Sequence, residues 1–405
     1  MVEQNMLPLE EQDSYKKEPF DPSKVSIHNR IQTVEGVLRR LQQRTIRLSP
    51  DFQRNEIWKS TQRSRLIESL LLGIPIPMFY LSEDEKGNWD VVDGLQRLST
   101  IRDFVLFETN PDCIPEEKKA FSKLTNLEFW TDLNNKKFSQ LSDSFKNKIL
   151  ETQLSITLVG PRTPDEVKFT IFKRINTAGL VLKEQEIRHA LFQGASTELL
   201  KKLITKDEFT AAMGGKFQNE RMQASEHVLR MLAFIVRDFE CFHENAYRKT
   251  SKRYNMDSFL SETMIILNAS SDFSDKKFRK TFNEKAKNTF LTCDLDVLEE
   301  KFTTAMVRAR QLFGDYTFRK ATIGRIPIVN KSLVDLWGSR LALMSEEAFK
   351  SLLENRTNFL LKYKDLLENQ EFSNSVSRYG QYWSGIKIRY EKANELIYEI
   401  TGEKL

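Results

Sequence analysis

The sequence predicts an α+β N-terminal part with a small mixed sheet, followed by an all-α C-terminal part. Three observations predict it. Trp89–Asp93 is a short apolar run with two valines, Asp93-Gly94 punctuates it, and Leu98, Ile101 and Phe104 then recur at helical spacing; strand, tight turn and helix follow in that order. Met78–Leu81 and Leu154–Leu158 read as further strands. Beyond residue 195 the strand-like alternation disappears and long helical patterns take over.

Taken in order, residues 1–27 are polar with scattered prolines and read as a flexible arm. Ile31, Val34, Val37, Leu38 and Leu41 predict a helix over about 31–43. Thr45–Leu48 predicts a short strand. Leu66, Ile67, Leu70 and Leu71 form the apolar face of a helix that Gly73 stops. Pro75 and Pro77 force their predecessors into extended backbone. Met78–Leu81 and Trp89–Val92, joined by the charged turn Glu83–Asn88, predict a hairpin. Phe138, Leu141, Phe145 and Ile149 suggest one amphipathic helix within an insertion over 108–150. Thr163-Pro164-Asp165-Glu166 predicts a capped helix start, with Thr163 as the cap, and that helix ends near Asn176. A further helix covers about 183–193. In the second half, helices are expected at Val228–Ile235, Phe259–Ile266, Phe302–Leu312, Leu333–Leu343, Phe349–Tyr363 and Ile386–Ile400. The domain plan is then an arm over 1–27, a first domain over 28–195 and a helical domain over 196–405.

Composition narrows the class. The chain has 405 residues, of which 40% are hydrophobic, enough for real cores. No apolar run is long enough to cross a bilayer, and the first residues lack the plan of a secretory signal. Cys113, Cys241 and Cys293 are far apart and odd in number, which fits a reducing cytoplasm. Sixty-two Lys and Arg against 57 Asp and Glu leave a formal charge of +5, so nucleic-acid binding would need local clusters. Candidates are Arg39-Arg40…Arg44…Arg47, Tyr247-Arg248-Lys249…Lys252-Arg253-Tyr254, and Ser377–Tyr390 with Arg378, Lys387 and Arg389 among aromatics. No Gly-x-x-x-x-Gly-Lys-Ser/Thr loop and no nucleophile elbow occurs.

The turn itself carries chemistry. Gln96 and Arg97 fall in the first turn after Gly94, where unpaired N–H groups and the helix dipole favour an anion. Asp93 runs against that logic. It holds a metal ion, orients Arg97 or caps the helix; the plainer alternative is a cap beside a solvated arginine.

Asp93-Gly94-Leu95-Gln96-Arg97 resembles the Asp-Gly-Gln-Gln-Arg signature of the ParB/sulfiredoxin-like domain at the N-terminus of GmrSD-type restriction enzymes. Three more blocks are similar in order and spacing. They are Asp51-Phe52-Gln53-Arg54 with Trp58, Leu66-Ile67-Glu68-Ser69 through Gly73-Ile74-Pro75-Ile76-Pro77, and Ile175-Asn176-Thr177-Ala178-Gly179…Leu182…Glu186. The departure is Leu95, where the family usually has glutamine. The resemblance implies a ParB-like fold for residues ~30–195 that grips a nucleoside triphosphate (GTP, ATP or CTP) with Mg²⁺. On that carry-over Gln53, Arg54, Gly94, Gln96, Arg97, Arg174 and Asn176 contact the nucleotide. Asp93 and Asn176 hold the metal, in keeping with its preference for oxygen ligands, while Asp93, Gln96 and Arg97 serve hydrolysis. Glu186 would extend the cleft. Family members usually carry a His-Asn-His-type nuclease domain as well. His28, His189, His227 and His243 are isolated, so the chain is expected to be a stand-alone member. The expected role is that of a cytoplasmic NTPase acting on or sensing DNA in restriction or phage defence. The alternatives are a non-catalytic nucleotide sensor whose helical half docks a protein partner or a second copy, and an NTP-dependent DNA nickase.

Overall fold

The structure, a computed structural model, describes residues 21–48, 58–110, 121–175, 183–215, 222–242, 255–283 and 285–405. The chain divides into two compact units, Pro19–Leu191 and Phe192–Leu405.

The first unit is built on a five-stranded mixed sheet. Its strands are β1 (Ile27–Thr33), β2 (Ile46–Arg47), β3 (Phe79–Glu83), β4 (Trp89–Asp93) and β5 (Gln153–Val159), in the order β1-β5-β3-β4-β2. β3 and β4 form the expected antiparallel hairpin, while β3 runs parallel to β5 and β4 parallel to β2. Helices α1 (Val34–Gln42), α2 (Ser60–Leu72), α3 (Leu95–Leu106), α4 (Asp143–Glu151), α5 (Asp165–Ile175) and α6 (Glu184–Leu191) complete the unit. Phe79, Leu81, Trp89 and Val91 of the hairpin share one core with Ile67, Leu70, Ile101 and Phe104. Apolar burial of this kind is the main favourable term in folding. The α+β reading is borne out.

Three local expectations change. The helix expected from residue 31 starts at Val34, because the Thr33 hydroxyl accepts the Gly36 N–H at 3.1 Å and caps it there. The residues before it form β1, antiparallel to β5, and Ile31 is exposed. The helix expected over Phe138–Ile149 splits into a 3₁₀ turn, Phe138–Gln140, and α4, because Ser142 caps a fresh start. Thr163 is placed differently from a helix cap: its hydroxyl accepts the Ser26 N–H at 2.9 Å, tying the entrance of β1 to the exit of β5.

The second unit is helical. It comprises α7 (Ala195–Ile204), α8 (Asp207–Met213), α9 (Gln223–Val236), α10 (Met256–Asn268), α11 (Lys276–Thr281), α12 (Leu295–Phe313), α13 (Lys331–Leu343), α14 (Glu346–Glu354), α15 (Arg356–Glu368), α16 (Gln370–Ser375) and α17 (Trp383–Thr401). The single helix expected over Phe349–Tyr363 is two, broken at Asn355. Among the described residues no helix is long and apolar enough to cross a membrane.

Candidate functional site

Strand β4 ends at Asp93 and α3 begins at Leu95, so the whole reversal falls on Gly94. Its φ is +97°, and a Cβ there would lie 2.3 Å from Phe79 Cδ1. Only glycine meets both conditions without strain. Gly94→Ala is therefore expected to lower the unfolding free energy by about 1–3 kcal/mol. Urea unfolding reads this directly, and an unchanged midpoint would refute the tight turn.

Among the described residues no side chain caps the N-terminus of α3. The first-turn amides are thus left open in the manner of an anion site. Gln96, half-buried, has no side-chain hydrogen-bond partner among the described residues. Leu95, the departure from the family signature, packs its partly buried side chain on the core.

Arg97 is more embedded than a turn position implies. Its Nη2 donates to Asp93 Oδ2 at 3.0 Å, and its Nη1 donates to the carbonyls of Pro77 and Met78. Its Cζ lies 4.6 Å from the centre of the Phe79 ring, a stacked cation–π contact. Burial lowers its pKa from the ordinary arginine value, and the Asp93 charge opposes that. Arg97 thereby ties the Asp-Gly-Leu-Gln-Arg block to the Ile-Pro-Ile-Pro block. The earlier part of the latter block is structural too. Although burial pushes its pKa up, the Glu68 carboxyl is held below its ordinary value by the N–H groups of Trp130, Glu128 and Phe129, at 2.9, 3.0 and 2.7 Å.

The remaining expected site residues are distributed as follows. Gln53, Arg54 and Asn176 lie outside the described residues. Arg174 is exposed on the last turn of α5. Glu186 is buried, and its carboxylate accepts the Lys183 N–H at 2.6 Å at the start of α6, the backward half of a capping box. The structure thus brings Asp93, Gly94, Gln96 and Arg97 together. Among the described residues no group of three or more His, Cys, Asp or Glu gathers to hold a metal. A Mg²⁺ ion bound largely through substrate phosphates needs only one or two protein carboxylates, and Asp93, with its side chain one-third exposed, fits that requirement.

The basic clusters are largely engaged in internal contacts. Arg40 stacks 3.8 Å over the Trp89 ring and donates to the Gly87 carbonyl. Arg47 forms a forked pair with Asp90 and a further bond to Asp84. Arg389 and Tyr390 of the C-terminal cluster are fully buried. The cluster Tyr247–Tyr254 lies outside the described residues.

A five-stranded mixed sheet whose strand–glycine–helix turn leads into α3 defines a compact α+β domain. Residues 36–193 match the family model described as GmrSD restriction endonuclease, N-terminal domain. This part of the chain is a member of that family, which is associated with restriction systems. No curated protein and no solved structure matches the chain.

Proposed function

We propose that the N-terminal unit binds a nucleoside triphosphate with Mg²⁺ at the mouth of α3 and hydrolyses it, and that the chain acts on or senses DNA in a restriction role. The observation that supports this best is the uncapped start of α3 with the unpartnered Gln96 amide beside it. Open amides and a side-chain donor at a helix mouth suit a polyphosphate. Asp93, and Asn176 by family resemblance, would hold the metal, which supplies charge neutralisation on the phosphates. Phosphoryl transfer asks for little beyond such positioning and neutralisation.

Gln96→Ala is the clean test, because Gln96 carries no side-chain bond that the fold depends on. Phosphate release from NTP by the variant is expected to fall by about tenfold or more, the cost of one lost charge-assisted hydrogen bond, with an unchanged melting temperature. Equal turnover would remove this turn from the reaction. Arg97→Ala is less informative, since it also cuts the ties to Asp93 and Pro77.

Those same ties favour a second reading, a nucleotide-sensing module. Bound phosphates would compete with Asp93 for Arg97. Drawing Arg97 away would loosen its hold on the Pro77–Met78 carbonyls at the entrance to β3. Nucleotide binding with no phosphate release would select this reading. Supercoiled plasmid that stays intact with Mg²⁺ and each NTP would exclude nicking.

A further inference from the structure

The helical unit contains a polar cavity of about 220 Å³, lined among others by Arg230, Asn330, Lys331, Ser332, Gly380 and Gln381. It opens at the N-terminus of α13. Asn330 caps that helix by accepting the Leu333 N–H at 3.1 Å. Among the described residues no side chain accepts from the first-turn N–H groups of Lys331 and Ser332.

The side chains add donors independently of the helix end. Ser332 is 95% buried (5% exposed), and its hydroxyl has no hydrogen-bond partner among the described residues. It packs against Gly380, where a Cβ would lie 2.3 Å from Ser332 Oγ. Glycine at 380 keeps that hydroxyl clear. Arg230, 2% exposed, uses Nε and Nη2 on Asp335, which leaves Nη1 without a partner among the described residues. Asp335 is itself shared with Arg389, whose Nη2 donates to it at 3.2 Å. Two buried guanidinium groups therefore face one buried carboxylate, and the cluster carries an excess positive charge. At the rim Lys331 Nζ lies 2.9 Å from Glu226. Lys320 Nζ lies 2.6 Å from the hydroxyl of Ser377, another lining residue.

We propose that this cavity is a binding site for a phosphoryl group. Unpartnered N–H and O–H groups converge with buried, undercompensated cations, and a tetrahedral oxyanion accepts from all of them at once. Arg230 and Ser332 are themselves buried, which strengthens the contacts that they would make. The site lies in a different unit from the turn after β4 and does not depend on the reading of that turn.

Titration calorimetry of the full chain tests it with three probes: inorganic phosphate, a nucleoside monophosphate and a 5′-phosphorylated dinucleotide. Wild type is expected to bind inorganic phosphate. Lys331→Glu is expected to weaken binding by about tenfold and Ser332→Ala by a few-fold, the scale of one lost charged or neutral contact. Ser332→Ala should leave the melting temperature nearly unchanged, since Ser332 makes no side-chain bond among the described residues. Lys331→Glu also gives up the ion pair with Glu226 and sets a second carboxylate beside it, so its binding is compared at a temperature where the variant is folded. The share of phosphate binding that Lys331→Glu and Ser332→Ala weaken should persist in Gln96→Ala, which separates this site from the N-terminal one. A dinucleotide that binds more tightly than free phosphate would identify a nucleic-acid end as the source; equal affinities would identify the small anion. No binding by any probe, or equal binding by wild type, Lys331→Glu and Ser332→Ala, would overturn the proposal.

Discussion

Asp335→Ala is expected to destabilise the helical unit by about 3–5 kcal/mol, the cost of breaking a buried ion pair from one side. Asp335 is fully buried and holds two arginines, Arg230 through bonds of 2.8 and 2.5 Å and Arg389 through one of 3.2 Å. Against the lowering effect of burial, Asp335 keeps Arg230 above the ordinary arginine value; at Arg389 burial prevails. Removing the carboxylate leaves both buried cations without a counter-charge, and their desolvation is no longer compensated. Asp335→Asn should cost nearly as much, because it keeps shape but not charge. The triple variant Arg230→Met, Asp335→Leu, Arg389→Met should recover most of the loss, since an apolar replacement leaves no stranded charge. Urea unfolding followed by Trp337 and Trp383 fluorescence measures all three. A loss below about 1 kcal/mol in Asp335→Ala would mean that the two arginines reach water.

The ease of reading this fold from sequence varied with how locally each feature is encoded. Strands β3, β4 and β5 were legible because β-branched and apolar residues alternate or run together on buried strands, which is itself a local signal. β1 was not. Its residues Ile27–Thr33 are nearly all exposed on the edge of the sheet, so no buried face imprints a period of two. The turn at Gly94 was legible from Asp-Gly alone. The inward orientation of Arg97 was not, because its acceptors, Pro77 and Met78, lie about twenty residues earlier and are backbone carbonyls that any residue would supply. Glu68 and Glu186 look like solvated helix residues by pattern, yet each satisfies backbone N–H groups, a role set by where the chain returns. Asp335 did leave a trace, a lone acid within the otherwise apolar stretch Leu333–Gly338. Its partners were hidden, being 105 and 54 residues distant.

Acidification is expected to weaken the protein through His227. Burial drives its pKa from 6.5 down to about 3, with Glu226 opposing and Lys331 and Arg230 assisting. Between those values the unfolded chain binds a proton at this histidine and the folded chain does not. Stability from this residue is therefore fully present above about pH 6.5 and is lost as pH falls toward 3, at up to about 1.4 kcal/mol per pH unit. By pH 4 the loss reaches about 3 kcal/mol, a large part of the stability of an ordinary domain. Carboxylates titrate in the same range, so the informative quantity is the difference between wild type and a variant that lacks the titration. His227→Phe keeps a buried ring in α9 and cannot take up a proton. Its stability relative to wild type should rise steadily from pH 7 to pH 4 in parallel urea melts. A constant difference across that range would mean that His227 keeps an ordinary pKa in the folded chain, and that the interior of α9 beside Arg230 is open to water.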